Sequence, residues 1–318
     1  MWYNVRVNEE ASLSIAKPRN VSLVDTLSAG YRTLNRRPLV LAIPAALSAY
    51  LWLGAPIGLG SLGDELRLAL SDAAGLVGAE QAAREELVRN LLASDLRVAL
   101  AWLNFVPVLA PQSNAAVPGA IGLSSPLELI VAVLLVNLLA LLLSSLFLTT
   151  LSEALQGEQA RFWPLLRRSG RVARDICLAL LALLGVGLIL ALPFLAISVI
   201  VIAILPGATL LVLLSWYIAL FWAYVYTGFA PEAITLGQTG PLQALYKSVH
   251  IVRRDLGGTL GLLLLSFVIA SGLGVVWRQI AVSPAGLAIA ILGSAYVGSG
   301  LAAARLQFYR DRERAVGH

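Results

Sequence analysis

Apolar residues in this chain gather into runs near twenty residues long, at about 38–59, 127–150, 176–204, 207–229, 258–277 and 284–304. A helix of about 20 residues crosses a hydrocarbon core about 30 Å thick. The pattern therefore predicts six transmembrane helices rather than barrel strands, which would alternate in segments of about ten residues. Between the runs lie polar, basic stretches with helical spacing. Leu242, Leu245, Tyr246, Val249 and Val252 form one apolar stripe, and Phe162, Leu165, Leu166, Ser169, Val172 and Ile176 form another. A looser stripe, Leu23, Val24, Leu27, Tyr31 and Leu34, precedes Asn35-Arg36-Arg37. Each reads as an amphipathic helix lying at the headgroup level, apolar face down.

The stretches are related. Residues 153–176 and 232–255 align without gaps at a shift of 79, pairing Glu153 with Glu232, Gln159 with Gln238, Arg168 with Lys247, Ser169 with Ser248 and Arg174 with Arg253. Repeats of this size define architecture. The predicted fold is an all-α integral membrane protein with six transmembrane helices in three parallel repeats, each an interfacial amphipathic helix plus a helical hairpin. The divisions are a cytoplasmic leader over 1–37 and a first unit over 38–150 with spans 38–59 and 127–150. A second unit covers 151–229 with spans 176–204 and 207–229, a third covers 230–304 with spans 258–277 and 284–304, and 305–318 is a cytoplasmic tail. An extracytoplasmic helical insert, 60–126, opens the first unit. Within it DELRLALSDAAG, AEQAAREELVRNLLA and SDLRVALAWLNFVPVLAP read as helices, the last capped by Ser94 and carrying Trp102 and Phe105 into the interface. The insert reads as a cap over the bundle, with a gating or docking lid as the alternative.

Composition agrees with the class. Hydrophobic residues make up 58% and charged residues 13%, with a mean hydropathy of +0.82, against about 25% charged in a soluble domain. Placing the N-terminus inside puts 18 of the 23 basic residues on the cytoplasmic side and leaves Arg67, Arg84, Arg89, Arg97 and Arg278 outside. Both termini are thus predicted cytoplasmic by the positive-inside rule, in a prokaryotic plasma membrane. The polar leader before Pro38 does not fit a cleavable signal peptide. A single cysteine, Cys177, excludes an internal disulfide, and two histidines, His250 and His318, exclude a Cys/His metal cluster.

Little inside the spans carries chemistry. Glu128 sits at the edge of span two, and Asn137 is the one strongly polar residue at membrane depth, read as an interhelical hydrogen bond or a pore-lining group. Gly286, Ala290, Ser294, Gly298 and Ala302 recur at a spacing of four on span six, as a helix-packing face or a narrow pore wall. Span four is aromatic from Trp216 to Phe229, as an interfacial belt or a lipid-contacting groove. Metal-binding His pairs, phosphate loops and nucleophile elbows are absent from the sequence, so no enzyme and no cofactor are predicted. Arg36, Arg37, Arg167, Arg168, Arg171, Arg174, Lys247, Arg253 and Arg254 are the candidate contacts to anionic headgroups at the cytoplasmic face.

The stretch FAPEAITLGQTGPLQALYKSVHIVRRDLGGTLG (229–261) resembles a pattern in poorly characterised prokaryotic multi-pass proteins, including the membrane domain fused to some glycerophosphodiester phosphodiesterases. Pro231, Ala244, Leu245, Ser248, Arg253 and Arg254 carry the likeness, with a weaker echo at Leu166, Ser169 and Arg174. It covers spans three to six and reaches span one poorly. These residues include no phosphodiesterase domain, so that activity does not carry over and the resemblance implies only a membrane-embedded role related to lipid or transport. The expected function is a non-catalytic scaffold or accessory subunit in lipid or envelope processes. The alternative is the permease-type subunit of an ATP-driven transporter. Membrane lipids and a protein partner or ATPase subunit are the expected partners, and nucleic acid is not.

Overall fold

Among the described residues, five helices are long and apolar enough to cross a membrane, spanning Pro126–Gln156, Phe162–Ile204, Pro206–Gly237, Leu256–Ile280 and Pro284–Ala315. The computed structural model describes residues 22–71, 86, 90, 95–101, 105–111, 121–157 and 162–316. In chain order its helices are α1 (Leu23–Arg36), α2 (Ala42–Leu53), α3 (Gly60–Ser71), α4 (Pro126–Gln156), α5 (Phe162–Ile204), α6 (Thr209–Thr227), α7 (Ala230–Gly237), α8 (Pro241–Arg254), α9 (Leu256–Ile280) and α10 (Pro284–Val316). The chain is an all-α membrane protein. Connectivity puts the short turns before Pro206 and before Pro284 at one end of the bundle and α7 and α8 at the other, basic end.

The first of the six predicted spans differs. Residues 38–41 form a 3-10 turn and α2 then stops at Gly54, so Pro38–Leu53 is a shorter apolar helix and not one of the five. Its end is capped from a distance, because Arg97 donates to the carbonyls of Tyr50 (3.1 Å) and Leu51 (3.3 Å). The chain beyond it is extended, and β1 (Ile57–Gly58) pairs in parallel with β2 (Ile121–Gly122). This two-residue ladder ties the two ends of the insert together.

Within the insert, α3 is present. Ser94, Trp102 and most of the expected helix 79–93 lie outside the described residues, Glu86 and Asn90 there being helical. The expected helix from 94 is overturned: Leu96–Ala101 is a 3-10 helix, and 105–111 is irregular. Pro107 and Pro111 account for the irregular stretch, since each lacks an N–H and drives the residue before it towards extended backbone. Nor does the segment lie on the surface. Val106 and Leu109 are buried, and Pro107 packs on Gly298, about 21 Å along α10 from its first residue at 1.5 Å per residue. Irregular backbone at such depth needs its polar groups satisfied by protein. Accordingly, the Leu109 N–H donates to Ser48 Oγ (3.1 Å) and its carbonyl accepts from Trp52 Nε1 (2.9 Å).

The amphipathic stretches also differ from their prediction. Residues 162–175 do not form a separate helix but open α5, which runs 43 residues, about 64 Å, without a break. The third unit breaks at Asp255, whose carboxylate accepts from the Gly258 N–H (3.0 Å) and caps α9. The aligned position in the second unit is Ile176, which has no acceptor to offer. α8 is separate; Ala244, Ser248, Ile251 and Val252 pack into the protein, and Leu242 and Tyr246 of the stripe expected to face the membrane are exposed. Ser248 turns inward because its hydroxyl donates to the Tyr226 carbonyl (2.7 Å) and accepts from the Phe229 N–H (3.1 Å), closing the end of α6. α10 continues past residue 304 to Val316, so the expected tail is mostly helix.

α1 buries Thr26, Gly30 and Leu34 against the bundle and leaves Val24 exposed. Its contact with α10 is a backbone approach: a Cβ on Gly30 would stand 2.6 Å from the Ala304 nitrogen and 2.9 Å from the Gly300 oxygen. Tyr31 lies over Gly300 and donates to the Val297 carbonyl (3.2 Å). Neither backbone can yield, so Gly30→Val should destabilise by about 2 kcal/mol or more through overpacking. Gly170→Ala, on a helix face open to space, should be neutral or slightly stabilising. Unfolding midpoints in detergent measure both, and equal effects would remove the close approach as a stabilising feature.

Candidate functional site

The two glutamates that the repeat aligns end up buried at the basic end. Glu153, in the last turns of α4, faces Arg168 (3.7 Å), and Glu232, in α7, faces Arg305 (3.0 Å). Helix ends place them there: α4 stops at Gly157 (φ 75) and α7 at Gln238 (φ 47), so each glutamate sits within a helix turn or two of a left-handed stop. The arginines reach carbonyls as well as carboxylates. Arg168 donates to the Thr235 carbonyl (3.2 Å), Arg305 to Gly228 (2.7 Å) and Arg310 to Leu155 (3.2 Å). Cations suit these positions because the last carbonyls of a helix have no partner within it and carry its negative end. Lys247–Glu313 and Arg312–Asp255, both 2.6 Å, extend the network along α10.

Above this network, two adjoining cavities of about 410 and 250 Å³ share Phe105, Tyr224 and Arg305. The larger lies between Leu263, Ser266, Phe267 and Ala270 of α9 and Gly298, Leu301 and Ala302 of α10. Phe105 and Pro107 of the inserted segment close one side, and Glu232 with Arg305 forms the polar end. The smaller runs under α5 along Ile176, Ala179, Leu180 and Leu183 to Pro231 and Ile234 of α7. The larger volume is within the range of about 300–1,000 Å³ typical of small-molecule sites. Its wall is mostly apolar, and Phe267 and Ala270 are exposed on the flank of the bundle, so the space opens sideways. Arg305 also stacks over the Phe229 ring at 5.7 Å and interacts with the Tyr224 hydroxyl. Glu232 Oε2, Arg305 Nε and Ser266 Oγ are buried there without a hydrogen-bond partner.

The residues singled out from the sequence divide. Arg36, Arg167, Arg171, Arg174, Arg253 and Arg254 are exposed, Arg174 beside Asp175 (2.9 Å), and Arg37 is half-buried. Lys247 is drawn to Glu313. Arg168 departs from the expected outward position, its side chain 16% exposed and directed at Glu153 and Thr235. Asn137 donates to the Val133 carbonyl of its own helix (2.7 Å), in place of the expected interhelical bond. The small-residue stripe on α10 takes the inserted segment rather than another helix over much of its length. Ala290 is buried in one cluster with Leu109, and Gly298 receives Pro107. Gly286 donates to Ser283 Oγ in the first turn (3.1 Å), Ser294 donates to Ile291 of its own helix (3.0 Å), and Ala302 lines the cavity. The close helix contact uses Gly300 and Ala304 instead, opposite Gly30.

Reading the sequence for function missed Glu153, Glu232, Arg305 and Ser266. The identity of Glu153 and Glu232 in the two copies was the available signal. Arg305 carried none, since its pairing spans most of a repeat. Compared with known proteins, the chain matches no family model, no curated protein and no solved structure.

Proposed function

We propose that this chain is a non-catalytic, multi-pass protein of a prokaryotic plasma membrane that holds a lipid in the cleft between α9 and α10, as an accessory or scaffold subunit in lipid or envelope processes. The observation that carries the reading is one cavity with an apolar wall, a sideways opening at Phe267 and Ala270, and a buried ion pair at its end. An acyl chain enters such a space from the bilayer without crossing water, and the polar end meets a headgroup. The exposed arginines at the basic end, Arg167, Arg171, Arg253 and Arg254, favour a cytoplasmic placement beside anionic lipid, at about 1 kcal/mol each. That placement puts both termini in the cytoplasm. The sequence resemblance to membrane domains fused to phosphodiesterases supports the same direction.

Lipid that co-purifies with the protein in a mild detergent tests the reading. Mass spectrometry should find about one tightly held lipid per chain, and Ala270→Trp, which fills the opening, should remove most of it while the protein stays folded. A folded, lipid-free wild-type protein sinks the proposal, as does retention that Ala270→Trp leaves unchanged.

A further inference from the structure

The first turns of α5 carry charge that the protein leaves unbalanced. Trp163, Arg167 and Arg171 follow one another at a spacing of four, so they form a row with steps of about 6 Å along one helix face. The row lines an open groove of about 590 Å³, together with Leu166, Arg168 and Gln238. Arg167 and Arg171 are exposed, and like charges at this spacing repel. No carboxylate among the described residues lines the groove. Glu153, Asp175 and Glu313 are already engaged by Arg168 (3.7 Å), Arg174 (2.9 Å) and Lys247 (2.6 Å). Gln238 is a second, independent mark. It ends α7 at φ 47, a left-handed conformation that suits glycine, yet an exposed glutamine stands there and lines the groove. Strained backbone of this kind gathers at ligand sites.

We propose that this groove binds the phosphate-monoester headgroup of an anionic phospholipid, held between the guanidinium forks of Arg167 and Arg171 with the Gln238 amide as a further donor. Two guanidiniums with no carboxylate beside them match a monoester, which carries close to two negative charges and three free oxygens, better than a singly charged diester. The surroundings point to a lipid as its source. Phe162, Trp163 and Leu166, all exposed, give the arginines the aromatic and apolar rim of a membrane-interface site. Residues 177–204 hold no charge and measure about 42 Å, longer than a hydrocarbon core of about 30 Å. α5 therefore tilts, which draws Arg171, about 9 Å along the axis before that run, into the headgroup layer. The groove shares no lining residue with the cleft between α9 and α10. It takes from the proposed function only the placement of the basic end at the membrane surface.

The test titrates the full-length protein in detergent with dioctanoyl phosphatidic acid, phosphatidylglycerol or phosphatidylcholine, or with inorganic phosphate, and reads bound ligand by native mass spectrometry. Phosphatidic acid should bind about tenfold more tightly than phosphatidylglycerol, the effect of one further charge-assisted hydrogen bond. Phosphatidylcholine and inorganic phosphate should bind more weakly than either. Arg167→Gln and Arg171→Gln should each weaken phosphatidic acid about tenfold, with the unfolding midpoint unchanged because both side chains are exposed. The double variant Arg167→Lys/Arg171→Lys should keep the charge but lose most of the preference over phosphatidylglycerol, since lysine presents no planar fork. Gln238→Gly should weaken binding about threefold while the midpoint holds or rises, which separates a binding role from a structural one. Phosphatidylglycerol held as tightly as phosphatidic acid overturns the monoester assignment, and inorganic phosphate held as tightly overturns the lipid source. A loss as large from Arg253→Gln/Arg254→Gln would mean bulk surface charge and overturn the site. Binding lost in Ala270→Trp but kept in Arg167→Gln would put the lipid in the cleft, overturning this site and leaving the lipid-holding reading intact.

Discussion

Arg305→Met should destabilise the folded protein by about 3–5 kcal/mol, the range for breaking a buried ion pair from one side. The change leaves the Glu232 carboxylate without its cation and the Gly228 carbonyl without its 2.7 Å donor. It also removes the guanidinium from the Phe229 ring, which stacks on Phe308 at 5.6 Å. The double variant Arg305→Met/Glu232→Met should recover most of the loss, because two apolar groups of similar volume replace a buried pair at little cost. Equilibrium unfolding in mixed micelles measures the cycle. A double variant as unstable as the single one would show that the pair is not the stabilising unit and that Arg305 acts through Gly228 alone.

Arg97→Ala should produce a loss of similar size at the opposite end of the fold. Arg97 and Asp95 have side chains 4% and 6% exposed, joined by a 2.7 Å contact. Arg97 also supplies the donors that end α2, at Tyr50 and Leu51. Asp95 in turn accepts from the Ile57 N–H (3.1 Å), which anchors β1. Losing the guanidinium therefore leaves a buried carboxylate, takes a donor from the Leu51 carbonyl and one of two from the Tyr50 carbonyl, and loosens the ladder that closes the insert, at about 3–5 kcal/mol. Hydrogen exchange should rise first over residues 54–58 and 121–123.

The same site has a pH signature. Burial alone would raise the Asp95 carboxyl, but hydrogen bonds from the Arg97 side chain and backbone and the Ile57 amide, with the Arg97 charge, hold it below the usual carboxylate value. A carboxyl depressed in the folded state stabilises the fold fully above its unfolded value, about pH 4, and loses that contribution as pH falls through the folded value. Asp95→Asn should thus cost stability at neutral pH and remove part of the wild type's decline below about pH 4. An identical acid profile in the variant would refute the assignment.

Particular residues show how far the sequence could be read. Runs of apolar residues announced α4, α5, α6, α9 and α10, because burial of a helix in hydrocarbon needs only length and composition. The first run failed as a full span, since its end depends on Arg97, 43 residues beyond Gly54 in a segment that reads as surface. Helical spacing over 105–110 yields to Pro107 and Pro111. On α8 the spacing marks a membrane-facing stripe, while the buried face turns on Ser248, whose hydroxyl closes a neighbouring helix and carries no hydrophobic signal. For α5, the repeat suggested a break that Ile176, unlike Asp255, cannot make.

The chain by itself determined that this is a helical membrane protein with its basic residues gathered around the ends of the long helices, because transfer of apolar length and exclusion of charge from hydrocarbon are local properties. It also marked Glu153 and Glu232 as equivalent, without saying why. Tertiary structure alone decided that both are buried counter-ions and that Arg305 and Arg310 turn inward to helix carbonyls. It likewise sent the proline-rich 105–111 segment down the small-residue face of α10. Those outcomes turn on which donor meets which acceptor across 77 residues from Gly228 to Arg305, or across 155 from Leu155 to Arg310. Such pairings are settled by packing geometry, which no periodicity in the sequence encodes.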